Sequence, residues 1–202
     1  MDAIIDSQFT EWTKDKSPQE ARIAIFEGIR DIPYAVVSEL VHPVRYSNIL
    51  RINKGSCTPK HLLMCEMYRR LGLHVLYDVY PFKWDELEID YPPWLSKLAK
   101  SVPATHHLAC KVEIEGNLVL VDATVDPGLE KLGIPVNRKW DGRSDTLLPM
   151  QTHGEEELYH PSEAQLLEAS FGEEALAFYD GLNAWLESAR YSPSDCPTKS
   201  AL

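Results

Sequence analysis

The three functional groups that a thiol acyl enzyme needs occur in this chain as Cys57, His107 and Asp122. A cysteine attacks carbonyl carbon as its thiolate, an imidazole takes and returns the proton, and a carboxylate fixes the imidazole tautomer. Cys57 lies in Gly55-Ser56-Cys57-Thr58-Pro59-Lys60-His61-Leu62-Leu63. Ser56 has the side chain of an N-cap. Pro59 is tolerated in a helix only within the first turn. Gly72 suits a left-handed residue just past a helix end. This spacing predicts a helix over 57–71 with the thiol at its N-terminus, where the partial positive charge favours thiolate.

The imidazole and the carboxylate fall on a predicted hairpin. His107–Glu115 alternates Leu108, Cys110, Val112 and Ile114 with more polar positions, and Leu118–Thr124 reads as the returning strand. Gly116-Asn117 is a two-residue turn signal. Residues paired across that turn sum to about 233, which sets His107 opposite Asp126 and Asp122 a few residues along. His106 and His107 are adjacent, so their side chains point to opposite faces and only one can meet Cys57. Asp78 is a lower-ranked imidazole orienter, and Asp126 in Asp126-Pro127-Gly128 reads as a turn former. The backbone N–H of Cys57 is one expected oxyanion donor. Asn48, Asn53 and Trp84 are candidates for a second.

These residues need elements to hold them. Residues 2–15 read as a helix with Ile4, Ile5, Phe9 and Trp12 as its apolar stripe. Ser17 and Glu20 form a capping box around Pro18, predicting a helix to about Arg30. Residues 73–80 read as a strand. Residues 81–105 carry four prolines and several aromatics, and read as a loop-rich excursion with a short helix near 94–101. Its aromatics serve either as core or as pocket wall. Residues 129–160 show no clear pattern. Ser162 with Gln165 is a further capping box, predicting helices over 162–171 and 173–189. The expectation is a single domain over 1–190, with a core at about 18–130 and a flexible tail at 191–202.

The formal net charge of −11 makes nucleic acid and anionic membrane poor partners. No apolar run approaches a membrane span, and Met-Asp-Ala-Ile-Ile-Asp lacks the features of a signal peptide. Cys57, Cys65, Cys110 and Cys196 are scattered without a CxxC pair. They read as reduced thiols of a cytoplasmic protein.

The order Gly55-Ser56-Cys57, then His107 through Glu113, then Gly116-Asn-Leu-Val-Leu-Val-Asp122-Ala-Thr124 resembles the transglutaminase-like superfamily. Ile25–Tyr34 and Arg69-Arg70-Leu71-Gly72 also look like the stretches flanking the nucleophile helix there. The resemblance implies an α+β fold, with a nucleophile helix packed on an antiparallel sheet and flanking N- and C-terminal helices. It implies Cys57 as nucleophile, His107 as general base and acid, and Asp122 as imidazole orienter. It implies a thioester formed from a peptide or small amide, then passed to water or an amine, with no cofactor. Two positions depart from the family: Ala109 stands where many members have an aromatic residue, and Leu118 where many have tryptophan. No calcium-loop pattern accompanies the triad. Two other readings compete: a non-catalytic peptide-binding module on the same fold, and a zinc site built from Cys57, His106, His107 and Asp122.

Overall fold

Asp2 opens the first helix, α1 (Ala3–Thr13), by accepting a hydrogen bond from the Ile4 N–H. The next helix, α2 (Pro18–Arg30), starts with the expected reciprocal box: Ser17 and Glu20 each satisfy the other's backbone N–H. The computed structural model describes residues 2–40, 42–167 and 172–191. Two 3-10 turns, Ser38–Leu40 and Pro43–Asn48, lead to a single helical turn, α3 (Ile49–Ile52). The helix that begins at Cys57 follows as α4 (Cys57–Arg70), and Gly72 beyond it is left-handed at φ +80°.

A four-stranded antiparallel sheet comes next: β1 (Val75–Phe82), β2 (Thr105–Ile114), β3 (Asn117–Val121) and β4 (Glu157–Tyr159), in the spatial order β3-β2-β1-β4. Helix α5 (Pro93–Ala99) interrupts the β1–β2 connection, and α6 (Glu173–Tyr191) closes the described chain. The α+β class is thus as expected, with helices before and after the sheet. β1 runs later than predicted and includes Pro81 near its end, whose carbonyl accepts from the His153 N–H at 2.8 Å. Short β4 lies in the stretch that had no readable pattern. The predicted 162–171 helix is a 3-10 segment, Pro161–Leu167, as far as 167, and 168–171 lie outside the described residues. There the His160 N–H donates to Glu163 at 2.7 Å. The predicted tail lies outside the described residues apart from Tyr191.

The β2–β3 turn differs from the prediction in a way that matters for the site. Ile114 pairs with Asn117, so the two loop residues are Glu115 and Gly116, at φ +53° and +83°. Two left-handed residues in succession make the primed turn whose twist matches a hairpin. Paired positions therefore sum to 231 (114 + 117), two less than expected.

Alternation puts Val75, Tyr77, Val79, Leu108, Cys110, Val112, Val119 and Val121 on one sheet face. Leu62, Leu63, Cys65 and Tyr68 of α4 join them in one buried cluster with Ile25, Phe26 and Ile29 of α2. Each such fully buried aliphatic contributes about 1.5–3 kcal/mol. A second cluster joins Phe82, Trp84, Leu95 and Leu129 to Phe178 and Leu182 of α6. Helix α6 also clamps the segment after α2. The Asn183 amide accepts from Val36 N–H at 2.9 Å and donates to Val36 C=O at 2.7 Å. Arg190 donates to the Tyr34 carbonyl and to Asp126, both at 2.7 Å. Among the described residues, no helix is long and apolar enough to cross a membrane.

Candidate active site

Cys57 begins α4, and its neighbour Gly55 fixes how the chain arrives. The Gly55 N–H donates to Pro33 C=O at 3.1 Å, and its carbonyl accepts from Ala35 N–H at 3.2 Å, making a parallel bridge with the 33–35 segment. A Cβ on Gly55 would lie 2.4 Å from Ile49 Cδ1, so no other residue fits without displacing Ile49. Ser56 is at the N-cap, in extended conformation, but its side chain makes no capping bond. The expected hydroxyl cap is therefore not formed.

His107, near the start of β2, and Asp122, just past the end of β3, lie close because these strands pair as far as Cys110 opposite Val121. His107 Nε2 is 2.5 Å from Asp122 Oδ2, and each side chain is 1% exposed. The other Asp122 oxygen accepts from Thr124 N–H at 2.9 Å. Its backbone N–H donates to Thr146 Oγ1 at 2.7 Å, and its carbonyl accepts from Asn137 Nδ2 at 3.0 Å. The carboxylate is thus anchored from several sides. His107 Nδ1 is buried and has no hydrogen-bond partner. With Nε2 committed to Asp122, Nδ1 is the nitrogen left for the thiol. Cys57 lies beside it, without a hydrogen bond of ordinary geometry.

Charge follows this arrangement. Burial pushes the Cys57 thiol up, but the His107 imidazole and the Leu108 backbone N–H beside it bring the net value below the ordinary one. Burial pushes His107 down, while Asp122 and then Cys57 raise it well above the usual imidazole range. Asp122 is held low, since its attraction to His107 outweighs its burial. These shifts favour the charged forms: the thiol is lowered, the imidazole raised and the carboxyl held low.

Two polar residues of α4 support this frame without being visible in the sequence pattern. His61 is fully buried; its Nδ1–H donates to the Cys57 carbonyl at 2.9 Å and its Nε2 accepts from Ala123 N–H at 3.0 Å. The Ala123 donor assigns the tautomer. Burial lowers His61 to about 4, so it is a neutral bracket between Cys57 and the residue after Asp122. Lys60 is also fully buried, with Nζ donating to Thr124 C=O at 2.7 Å and Arg30 C=O at 3.1 Å. Burial brings it down to about 7 against the pull of Asp126 and Asp122. Two of its N–H groups are thus used, by the Thr124 and Arg30 carbonyls. The one sequence signal for His61 is its place one helical turn after Cys57.

A cleft opens over the thiol, walled by Tyr34, Cys57, Trp84, His106, His107 and Met150 among others. His106 is exposed at this wall, whereas His107 is buried. Of the three side chains considered as oxyanion donors, Trp84 is at the cleft, and Asn48 and Asn53 are not among its walls. Trp84 Nε1 is buried near the Tyr179 hydroxyl but makes no hydrogen bond of ordinary geometry. Of the excursion's aromatics, Phe82 and Trp84 line the cleft while Tyr91 packs on Phe178 and Trp185.

Comparison with protein-family models, with characterised proteins and with solved structures gives no match.

The remaining candidates fall elsewhere. Asp78 accepts from Tyr80 O–H at 2.7 Å and lies 3.7 Å from Lys111, so it does not orient His107. Asp126 is bound to Arg190 and to Tyr34 N–H. Among the described residues, no group of three or more His, Cys, Asp or Glu is arranged to hold a metal ion. His74 and His153 pair with Glu113 and Glu86 away from the cleft, and His160 with Ser162. Chemically, the arrangement places a thiol of lowered pKa, an imidazole and the Trp84 indole at one small cleft.

Proposed function

We propose that this chain is a cysteine-dependent acyl enzyme on a transglutaminase-like core, acting on an amide or peptide bond. The observation that carries the reading is the convergence of three residues from distant chain positions: Cys57 beside His107, and His107 bonded to Asp122 at 2.5 Å. In the first step the Cys57 thiolate attacks the carbonyl carbon and forms the C–S bond. The negative charge moves to the carbonyl oxygen, which can accept hydrogen bonds from the Cys57 backbone N–H and the Trp84 N–H. The intermediate then collapses, the C–N bond breaks, and the departing amine takes its proton from the His107 imidazolium. Asp122 keeps that proton transfer on Nδ1 by holding Nε2. Water or an amine next attacks the thioester, His107 removes its proton, and the thiolate leaves.

The substrate class is a peptide or small amide, and the acidic surface disfavours nucleic acid and anionic membranes as partners. Cys57, Cys65 and Cys110 are free thiols, in keeping with a reducing, cytoplasmic setting. Incubation with p-nitrophenyl acetate, followed by intact-mass and peptide-level spectrometry, tests the reading. The expected product is a hydroxylamine-labile acyl adduct on Cys57 that His107→Ala slows by at least about a hundredfold. Acylation spread over other residues, or unchanged in His107→Ala, would contradict it.

A further inference from the structure

Behind the catalytic cleft lies a second pocket, and three residues, Tyr34, Trp84 and Met150, wall both. Its other walls are almost wholly aliphatic, with Leu87, Ile89, Val125, Leu129, Ile134 and Leu182 contributing. Thr124, two residues beyond the triad carboxylate, forms part of it. The pocket thus starts where the triad ends. Its void is about 50 Å³. One water needs about 10–15 Å³ by the same measure, so the void suits a tail of about four carbons.

Two atoms in these walls are out of place in an apolar pocket that serves only as packing. Thr124 Oγ1 is buried without a hydrogen-bond partner and Trp84 Nε1 is buried near the Tyr179 hydroxyl without a bond of ordinary geometry, in residues only 3% and 7% exposed. Both residues belong to the pocket, and Trp84 also faces the cleft that holds Cys57. A ligand with an apolar tail and a carbonyl at its head meets both features: the tail fills the void and the carbonyl oxygen accepts from Trp84.

We propose that this pocket is the acyl-chain site of the enzyme, taking a short aliphatic acyl group of about four carbons. The proposal rests on the acyl-enzyme reading above and narrows it to a substrate class. The tail enters between Tyr34, Trp84 and Met150. The carbonyl carbon stays on the cleft side, where the Cys57 sulfur reaches it.

The test measures Cys57 acylation rates with p-nitrophenyl acetate, butyrate and decanoate. It is paired with binding of butyramide to Cys57→Ala protein, followed by methyl NMR of Met150 and Leu182. Each methylene in a fitted apolar pocket changes the rate by about tenfold or more, so butyrate should outpace acetate by at least that factor and decanoate should fall back. Ile134→Trp fills the pocket from a half-buried position, and Ile89→Trp does so independently. Either should erase the butyrate preference and leave the acetate rate within about twofold. Equal rates for acetate and butyrate, unchanged in both variants, would overturn the pocket while leaving the thiol chemistry intact. Saturable butyramide shifts lost in Ile134→Trp, without acylation by any ester, would uphold the pocket and overturn the acyl-enzyme reading. Absence of both would overturn both.

Discussion

His61 and Cys57 are joined by a 2.9 Å hydrogen bond from Nδ1–H to the Cys57 carbonyl, one helical turn apart on α4. Because the other ring nitrogen accepts from Ala123 N–H, the same imidazole spans the nucleophile helix and the strand end that carries Asp122. His61 touches no reacting atom; it is a positioning residue. His61→Ala should lower the Cys57 acylation rate by about a hundredfold, the usual cost of a displacement near 1 Å. Its alkylation midpoint in pH should stay near the wild-type value, since the Cys57–His107 contact supplies the charge. His61→Gln, with a donor and an acceptor, should recover part of the rate. A midpoint displaced as far as in a His107 variant would assign His61 a direct role.

Asp122→Asn keeps the shape of the carboxylate and removes its charge. Turnover should fall by about 10³–10⁴-fold, the scale of the same change in serine triads. The imidazolium of His107, now without its strongest partner, should titrate at lower pH in ring-nitrogen NMR. An unchanged His107 titration would show that Asp122 is not what raises it.

Lys60 gives the stability a pH slope of definite sign. Its folded value, about 7, lies below the ordinary 10.5, so between these limits the unfolded chain binds more protons. Stability therefore rises with pH through that window, by up to about 1.4 kcal/mol per unit. Cys57, lowered in the folded state, slopes the same way up to its ordinary 9.0, while His107, raised above its ordinary 6.5, slopes the opposite way. Those two act against each other, and the Lys60 contribution is read as the difference in slope between wild type and Lys60→Met. Urea unfolding at pH 7, 8 and 9 should show it in the wild type and lose it in Lys60→Met. Equal slopes in the two proteins would contradict the neutral buried amine.

Gly55→Ala should destabilise by about 1–3 kcal/mol, because its Cβ would overlap Ile49 Cδ1. Ile49→Val removes that atom at a cost of about 0.5–1.5 kcal/mol. Combining the two should therefore cost at least about 1 kcal/mol less than their sum. Strict additivity in denaturant titrations would place the constraint on Gly55 elsewhere.

What could be read from the sequence divides along physical lines. Ser17 with Glu20, Gly72 and the alternation of Leu108, Cys110 and Val112 mark elements by side-chain type, and those elements form where expected. The hairpin register was displaced by two because Asn117 is the commoner left-handed residue, yet Glu115 takes that conformation. His61 and Lys60 escaped notice because their partners are backbone groups of Cys57, Ala123, Thr124 and Arg30, which carry no residue-type signature. β4, three residues long, pairs with β1 through tertiary contact alone.

The most direct test is the pH dependence of iodoacetamide alkylation at Cys57, in wild type and in His107→Ala. A wild-type midpoint below the ordinary thiol value of 9.0 is expected, and a higher midpoint once His107 is gone, because only the Leu108 N–H then opposes burial and the Asp122 charge. A wild-type midpoint at or above that value, unmoved by His107→Ala, with Cys57 reacting no faster than buried Cys65 and Cys110, would contradict it.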